Sequence, residues 1–147
     1  MIYIDADACP VKAEVEKIAT RHRKTALMVC DGGLRPSQNP WIEMRYVTEG
    51  LDAADDWIIE NAGAGDIVAT NDIPLAARAL ENGAAVLRFD GEELTTRNIA
   101  DRLAARNLSD LRRQNPMEVQ RAQPQKNMDR ERQAFTNTLE RLVRATL

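Results

Sequence analysis

The chain has 147 residues, 44% of them hydrophobic and 29% charged, the profile of one globular domain long enough to bury a core. No apolar run reaches the roughly 18 residues that a membrane helix needs, and the acids in the opening MIYIDAD argue against a secretory signal. The net charge of −3 is unevenly spread: residues 1–96 hold 9 basic and 17 acidic side chains, residues 97–147 hold 11 and 6. An acidic body with a basic C-terminal third suits cation binding in one part and anion binding in the other, or simply a basic tail docked on an acidic body. Cys9 and Cys30 fit neither CxxC nor zinc spacing, so reduced thiols and a cytoplasmic location are expected.

In chain order, residues 1–5 (MIYID) read as a buried strand, and Pro10 opens a helix to about Thr20 with Val11, Val15 and Ile18 on one face. The basic run Arg21-His22-Arg23-Lys24 ends it, with His22 expected on the solvated surface. A second strand follows at about 25–30, then the Gly/Pro loop DGGLRPSQNP and a third strand at 43–48. Asp52 to about Asn61 is a helix, 66–70 a fourth strand, Ile73 to about Glu81 a helix, and 84–89 a fifth strand. Thr95 or Thr96 caps a helix reaching about Asn107. Residues 114–128 lack periodicity, and 129–147 read as a helix with Phe135, Leu139, Leu142 and Val143 as its apolar stripe. The alternation argues for a parallel sheet with helices on both faces, a three-layer α/β sandwich. Residues 1–111 form its body; the basic loop and helix of 112–147 pack on the same domain.

Right-handed connections put every strand-to-helix loop on one edge of such a sheet, where ligands bind. Aspartates fill it. Asp5 ends strand one and Asp7 follows two residues later, both pointing one way if the backbone stays extended. Asp52, Asp55 and Asp56 share one face of the helix after strand three, while Ala54, Trp57 and Ile58 face the core. Asp72 ends strand four. Helix starts favour acids on their own account, and Asp72 before Ile73-Pro74 reads equally well as an N-cap. Capping does not account for acids arriving from three separate stretches. Crowded carboxylates repel unless a cation sits among them, and Mg²⁺ or Mn²⁺ suits such oxygen donors. Asp66 lies at the opposite edge, and Asp90-Gly91 reads as a turn with a peripheral carboxylate as the alternative.

Among the other groups, Cys9 before Pro10 sits where a helix N-terminus lowers a thiol's pKa. Lys12 and Arg35 lie where they reach a phosphate or simply stay solvated. Trp41 suits packing better than a base platform. Arg112, Arg113, Arg121, Lys126, Arg130 and Arg132 make the C-terminal stretch basic, the composition that contacts phosphate backbones.

The run Tyr3-Ile4-Asp5-Ala6-Asp7-Ala8-Cys9-Pro10-Val11-Lys12 resembles the N-terminal signature of the YaiI/YqxD family of bacterial proteins. Gly50 to Ile58 resembles its central motif, Thr70-Asn71-Asp72-Ile73-Pro74-Leu75-Ala76 its third, and Asp129 to Phe135 its C-terminal pattern. More remotely the arrangement is similar to PIN-like and NYN-like nucleases. That resemblance implies a mostly parallel five-stranded sheet in the order 3-2-1-4-5 and Mg²⁺- or Mn²⁺-dependent cleavage of RNA. It maps best onto Asp5 and Asp72, with Asp52 or Asp56 as the middle acid. Asp5, Asp52, Asp55, Asp56 and Asp72 are then the candidate metal ligands. Asp5, Asp7, Asp56 and Asp72 are the catalytic set, with Lys12, Arg35, Arg112 and Arg113 on the RNA phosphates. Two alternatives stand beside this reading: a PIN-like RNA-binding module without turnover, and a haloacid-dehalogenase-type phosphatase with Asp5 as nucleophile.

Overall fold

Each central strand sends alternate residues to opposite faces, and both sets are apolar, the mark of a sheet buried on two sides. The computed structural model describes residues 1–31, 35–47, 53–105 and 125–146. Its strands are β1 (Ile2–Asp5), β2 (Ala26–Cys30), β3 (Ile42–Tyr46), β4 (Ile67–Ala69), β5 (Ala85–Leu87) and β6 (Glu93–Leu94). They form one sheet in the order β3-β2-β1-β4-β5-β6, parallel except for β6. The helices are α1 (Lys12–His22), α2 (Ala53–Asn61), α3 (Ile73–Glu81), α4 (99–105) and α5 (Gln125–Ala145).

One face of the sheet, with Ile2, Ile4, Met28, Cys30, Ala69 and Phe89, packs under Val15 and Ile18 of α1 and Phe135, Leu139 and Val143 of α5. The other, with Tyr3, Leu27, Val29, Val68 and Val86, packs under Ile58 of α2, Leu75, Ala76 and Ala79 of α3, and Ile99 and Leu103 of α4. Three layers result. Among the described residues no helix is long and apolar enough to cross a membrane.

The sheet has one strand more than expected. β6 pairs antiparallel with β5 through a turn in which the Gly91 N–H donates to the Arg88 carbonyl and the Glu92 N–H to the Asp90 carboxylate. Asp90 therefore serves the turn. A two-residue strand is too short to announce itself by alternation. Thr95 and Asn98 shape the turn before α4, and α5 begins four residues earlier than its periodicity suggests. His22 is not a solvated side chain: its Nε2 lies 2.9 Å from the Glu140 carboxylate, because α5 covers the end of α1. Trp41 packs against the α1/α5 side of the core. The boundary expected between residues 111 and 112 lies outside the described residues.

Candidate functional site

Strand register decides which side chains meet at the carboxyl edge. Asp5 is opposite Val29 of β2, and Val29 opposite Arg45 of β3, so all three share the face under α2 and α3. On the other side Ile4 pairs with Ala69, which brings Asp5 level with Thr70. Thr70 is the one polar side chain that is fully buried among the described residues. Its hydroxyl donates to Asp5 Oδ2 at 3.0 Å and accepts the Asp72 N–H at 3.0 Å. Asp72 Oδ1 in turn accepts the Leu75 N–H at 3.1 Å and caps α3. A buried hydroxyl without partners costs stability; this one ties the end of β1 to the start of α3.

Asp7 does not continue an extended chain. Residues Ala6–Ala8 form a 3-10 turn, so the parallel orientation expected for Asp5 and Asp7 does not follow from alternation. Instead the Asp31 N–H donates to Asp7 Oδ2 at 3.1 Å, tying the turn to the end of β2. Burial raises the Asp5 carboxyl above its ordinary pKa; the Thr70 hydrogen bond pulls it back, and the charges of Asp72 and Asp7 push it further up. Two acids, one just after β1 and one at the start of α3, thus act on one group.

The acids of α2 are placed differently. Asp55 is half-buried, whereas Asp56 is exposed and paired with Arg78 of α3 at 3.2 Å. Arg78 draws Asp56 across the α2–α3 groove, so Asp5, Asp56 and Asp72 do not form the three-acid cluster expected of them. Among the described residues no three acids, histidines or cysteines are grouped as a metal cage. Mg²⁺ does not require one, since it keeps several waters and is held by one or two carboxylates. The oxygen donors of Asp5, Asp7 and Asp72 fit that chemistry, and the exposed Asp56–Arg78 pair is worth only about 0–1 kcal/mol. Asp52, Arg112, Arg113 and Arg121 lie outside the described residues.

Lys12 opens α1, and its Nζ donates to the Cys9 carbonyl at 2.7 Å. Arg35 is exposed. The Cys9 thiol runs against expectation: burial pushes it up to about 11, and the backbone hydrogen bond from Val11 and the Lys12 charge offset this only in part. Position near a helix start does not make it a nucleophile.

A family model described as "Uncharacterized BCR, YaiI/YqxD family" matches residues 3–145. A UPF0178 protein of Ruegeria pomeroyi is 53% identical over 146 residues, 98% of this chain and 94% of the relative. A second, of Roseobacter denitrificans, is 51% identical over 97% of this chain and 94% of its own. The chain belongs to the YaiI/YqxD family. A UPF0178 protein of Mesorhizobium japonicum is 55% identical over 73% of this chain and 69% of its own length. No solved structure matches the chain.

Three of the four segments that resemble family motifs lie along this edge. Tyr3–Lys12 covers β1, the 3-10 turn and the start of α1; Ala53–Ile58 opens α2; Thr70–Ala76 is the β4–α3 junction. Asp129–Phe135 lies instead on α5, where Phe135 enters the core. Three partners escaped the sequence reading: Thr70, Arg78 and the Asp31 backbone. Only Thr70 carried a signal, as the polar end of the apolar run DIVAT.

Proposed function

We propose that this YaiI/YqxD protein is a metal-dependent phosphodiester hydrolase acting on RNA, with Asp5, Asp7 and Asp72 at its centre. The observation that carries the reading is the relay Asp5–Thr70–Asp72, with the Asp5 carboxyl raised by burial and by two neighbouring acids. Evolving a stable fold does not require acids that oppose one another; a site for a hard cation does.

In this reading Thr70 fixes the Asp5 carboxylate, the α3 cap fixes Asp72, and the Asp31 N–H fixes Asp7, so the oxygens are positioned before any ion arrives. Bound Mg²⁺ or Mn²⁺ would supply charge stabilisation and an activated water. Asp55 and Asp56 approach from α2, Asp56 by leaving its exposed pair with Arg78. Lys12 and Arg35, with Arg112 and Arg113 of the basic stretch, hold phosphates.

The test is cleavage of end-labelled single-stranded RNA by rigorously purified protein in Mn²⁺ and in EDTA. Cleavage that needs Mn²⁺ and falls about 100-fold or more in Asp5→Asn is the expected result. Equal cleavage by both proteins contradicts it. RNA that is bound but left intact by the wild-type protein selects the binding module, and rapid turnover of p-nitrophenyl phosphate the phosphatase.

A further inference from the structure

The sheet ends in two unlike edges. At one, β6 has two residues, and a very short edge strand recruits other strands poorly. At the other, β3 pairs with β2 over five consecutive residues that include neither proline nor glycine, and no described strand lies beyond it. The Ala26 N–H donates to the Trp41 carbonyl and the Val47 N–H to the Cys30 carbonyl, both at 2.8 Å. Residues 41, 43, 45 and 47 therefore turn their backbone groups to β2, and alternation points the N–H and carbonyl of Met44 away from the sheet. Glu43 and Arg45 flank Met44, and both are exposed. They share the α2 side, since their register partners Leu27 and Val29 belong to that core. Trp57 steadies Arg45 there, with the guanidinium 5.0 Å from the ring centre.

We infer that β3 is a self-association edge, pairing antiparallel with β3 of a second copy about a twofold axis at Met44 and joining two six-stranded sheets into one. Charge selects both the partner and the register. With Met44 opposite its own copy, Glu43 falls opposite Arg45 of the second copy and Arg45 opposite its Glu43, two attractive cross-strand pairs. Centring on Glu43 or on Arg45 sets like charges opposite each other, which is destabilising. Centring on Ile42 or on Tyr46 forms neither attractive pair. The backbone selects the same register. Met44 exchanges two N–H···O bonds with its copy, and the Glu43/Arg45 pairs are then of the non-hydrogen-bonded kind, whose Cα atoms approach to about 4.5 Å. The antiparallel sense turns the two acid edges to opposite ends of the joined sheet, so the pairing does not depend on the hydrolase reading.

The test is sedimentation velocity of the purified full chain from micromolar to millimolar concentration. It compares wild type, Glu43→Arg, Arg45→Glu and the double variant carrying both, and circular dichroism checks each fold. Wild type is expected to dimerise. Each single variant puts two like-charge pairs in the interface and should weaken the dimer about 10-fold or more. A one-to-one mixture of the single variants, one presenting two arginines and the other two glutamates, should recover it, as should the double variant. A wild type that stays monomeric overturns the pairing and leaves the edge to a strand of another protein. Single variants that dimerise as tightly as wild type, or that weaken without recovery in the mixture and the double variant, also overturn it. Hydrogen exchange of wild type gives a readout free of substitutions. The Met44 amide should gain protection as concentration rises, and exchange along β3 that ignores concentration overturns the pairing even where a variant fails to fold.

Discussion

Thr70 shows how one side chain serves fold and site together. Valine has its shape but neither a donor for Asp5 nor an acceptor for the Asp72 N–H. Thr70→Val is expected to cost about 1–3 kcal/mol in urea denaturation, with Thr70→Ser close to wild type. A valine variant as stable as the parent would show that the relay does not hold the two segments. Gly91 is constrained from two directions. Its φ is +92°, and an added Cβ would lie 2.5 Å from the backbone carbon of Ala134 on α5. The Thr138 hydroxyl also donates to its carbonyl at 2.7 Å. Gly91→Ala should lose about 1–3 kcal/mol, read as a lower Tm. No loss would mean that α5 does not approach the β5–β6 turn so closely.

At the scale of elements, α3 separates capping from charge. Asp72→Ala removes both and should cost about 1 kcal/mol. Asp72→Asn keeps an N-cap oxygen and should stay near wild-type stability. RNA cleavage is expected to fall in both variants; an active Asp72→Asn would reduce this acid to a cap. The α1–α5 contact carries a pH dependence. Burial raises the Glu140 carboxyl, but the hydrogen bond and charge of His22, and those of Arg21, outweigh it and leave the pKa below its ordinary value. A depressed acid stabilises the fold above its unfolded pKa, and that contribution is lost as pH falls through the folded value. The stability of wild type relative to Glu140→Gln should therefore shrink through the acidic carboxylate range. A difference that stays constant with pH would contradict this.

Across the whole molecule, the elements legible in the sequence were those with local causes. The α3 span Ile73–Glu81 follows from its Asp72 cap and Pro74, and β1, β2 and β4 follow from apolar runs buried on both faces. The three-layer order around β1 followed from strand–helix alternation and family resemblance. What the sequence hid depends on contacts between distant segments. β6 exists only against β5, His22 is covered only because α5 crosses α1, and Asp7 is turned by a backbone N–H 24 residues away. The carboxyl edge was legible as a place, since Asp5 ends β1 and Asp72 follows the adjacent β4, but Asp56 was drawn elsewhere by Arg78, an arginine nothing local connects to it. The account as a whole depends on that edge holding a cation. Anomalous scattering from a crystal soaked in Mn²⁺ measures this directly. A peak within about 2–2.5 Å of an Asp5 carboxylate oxygen is expected, and none in Asp5→Asn. An edge free of Mn²⁺ in the wild-type crystal would contradict it.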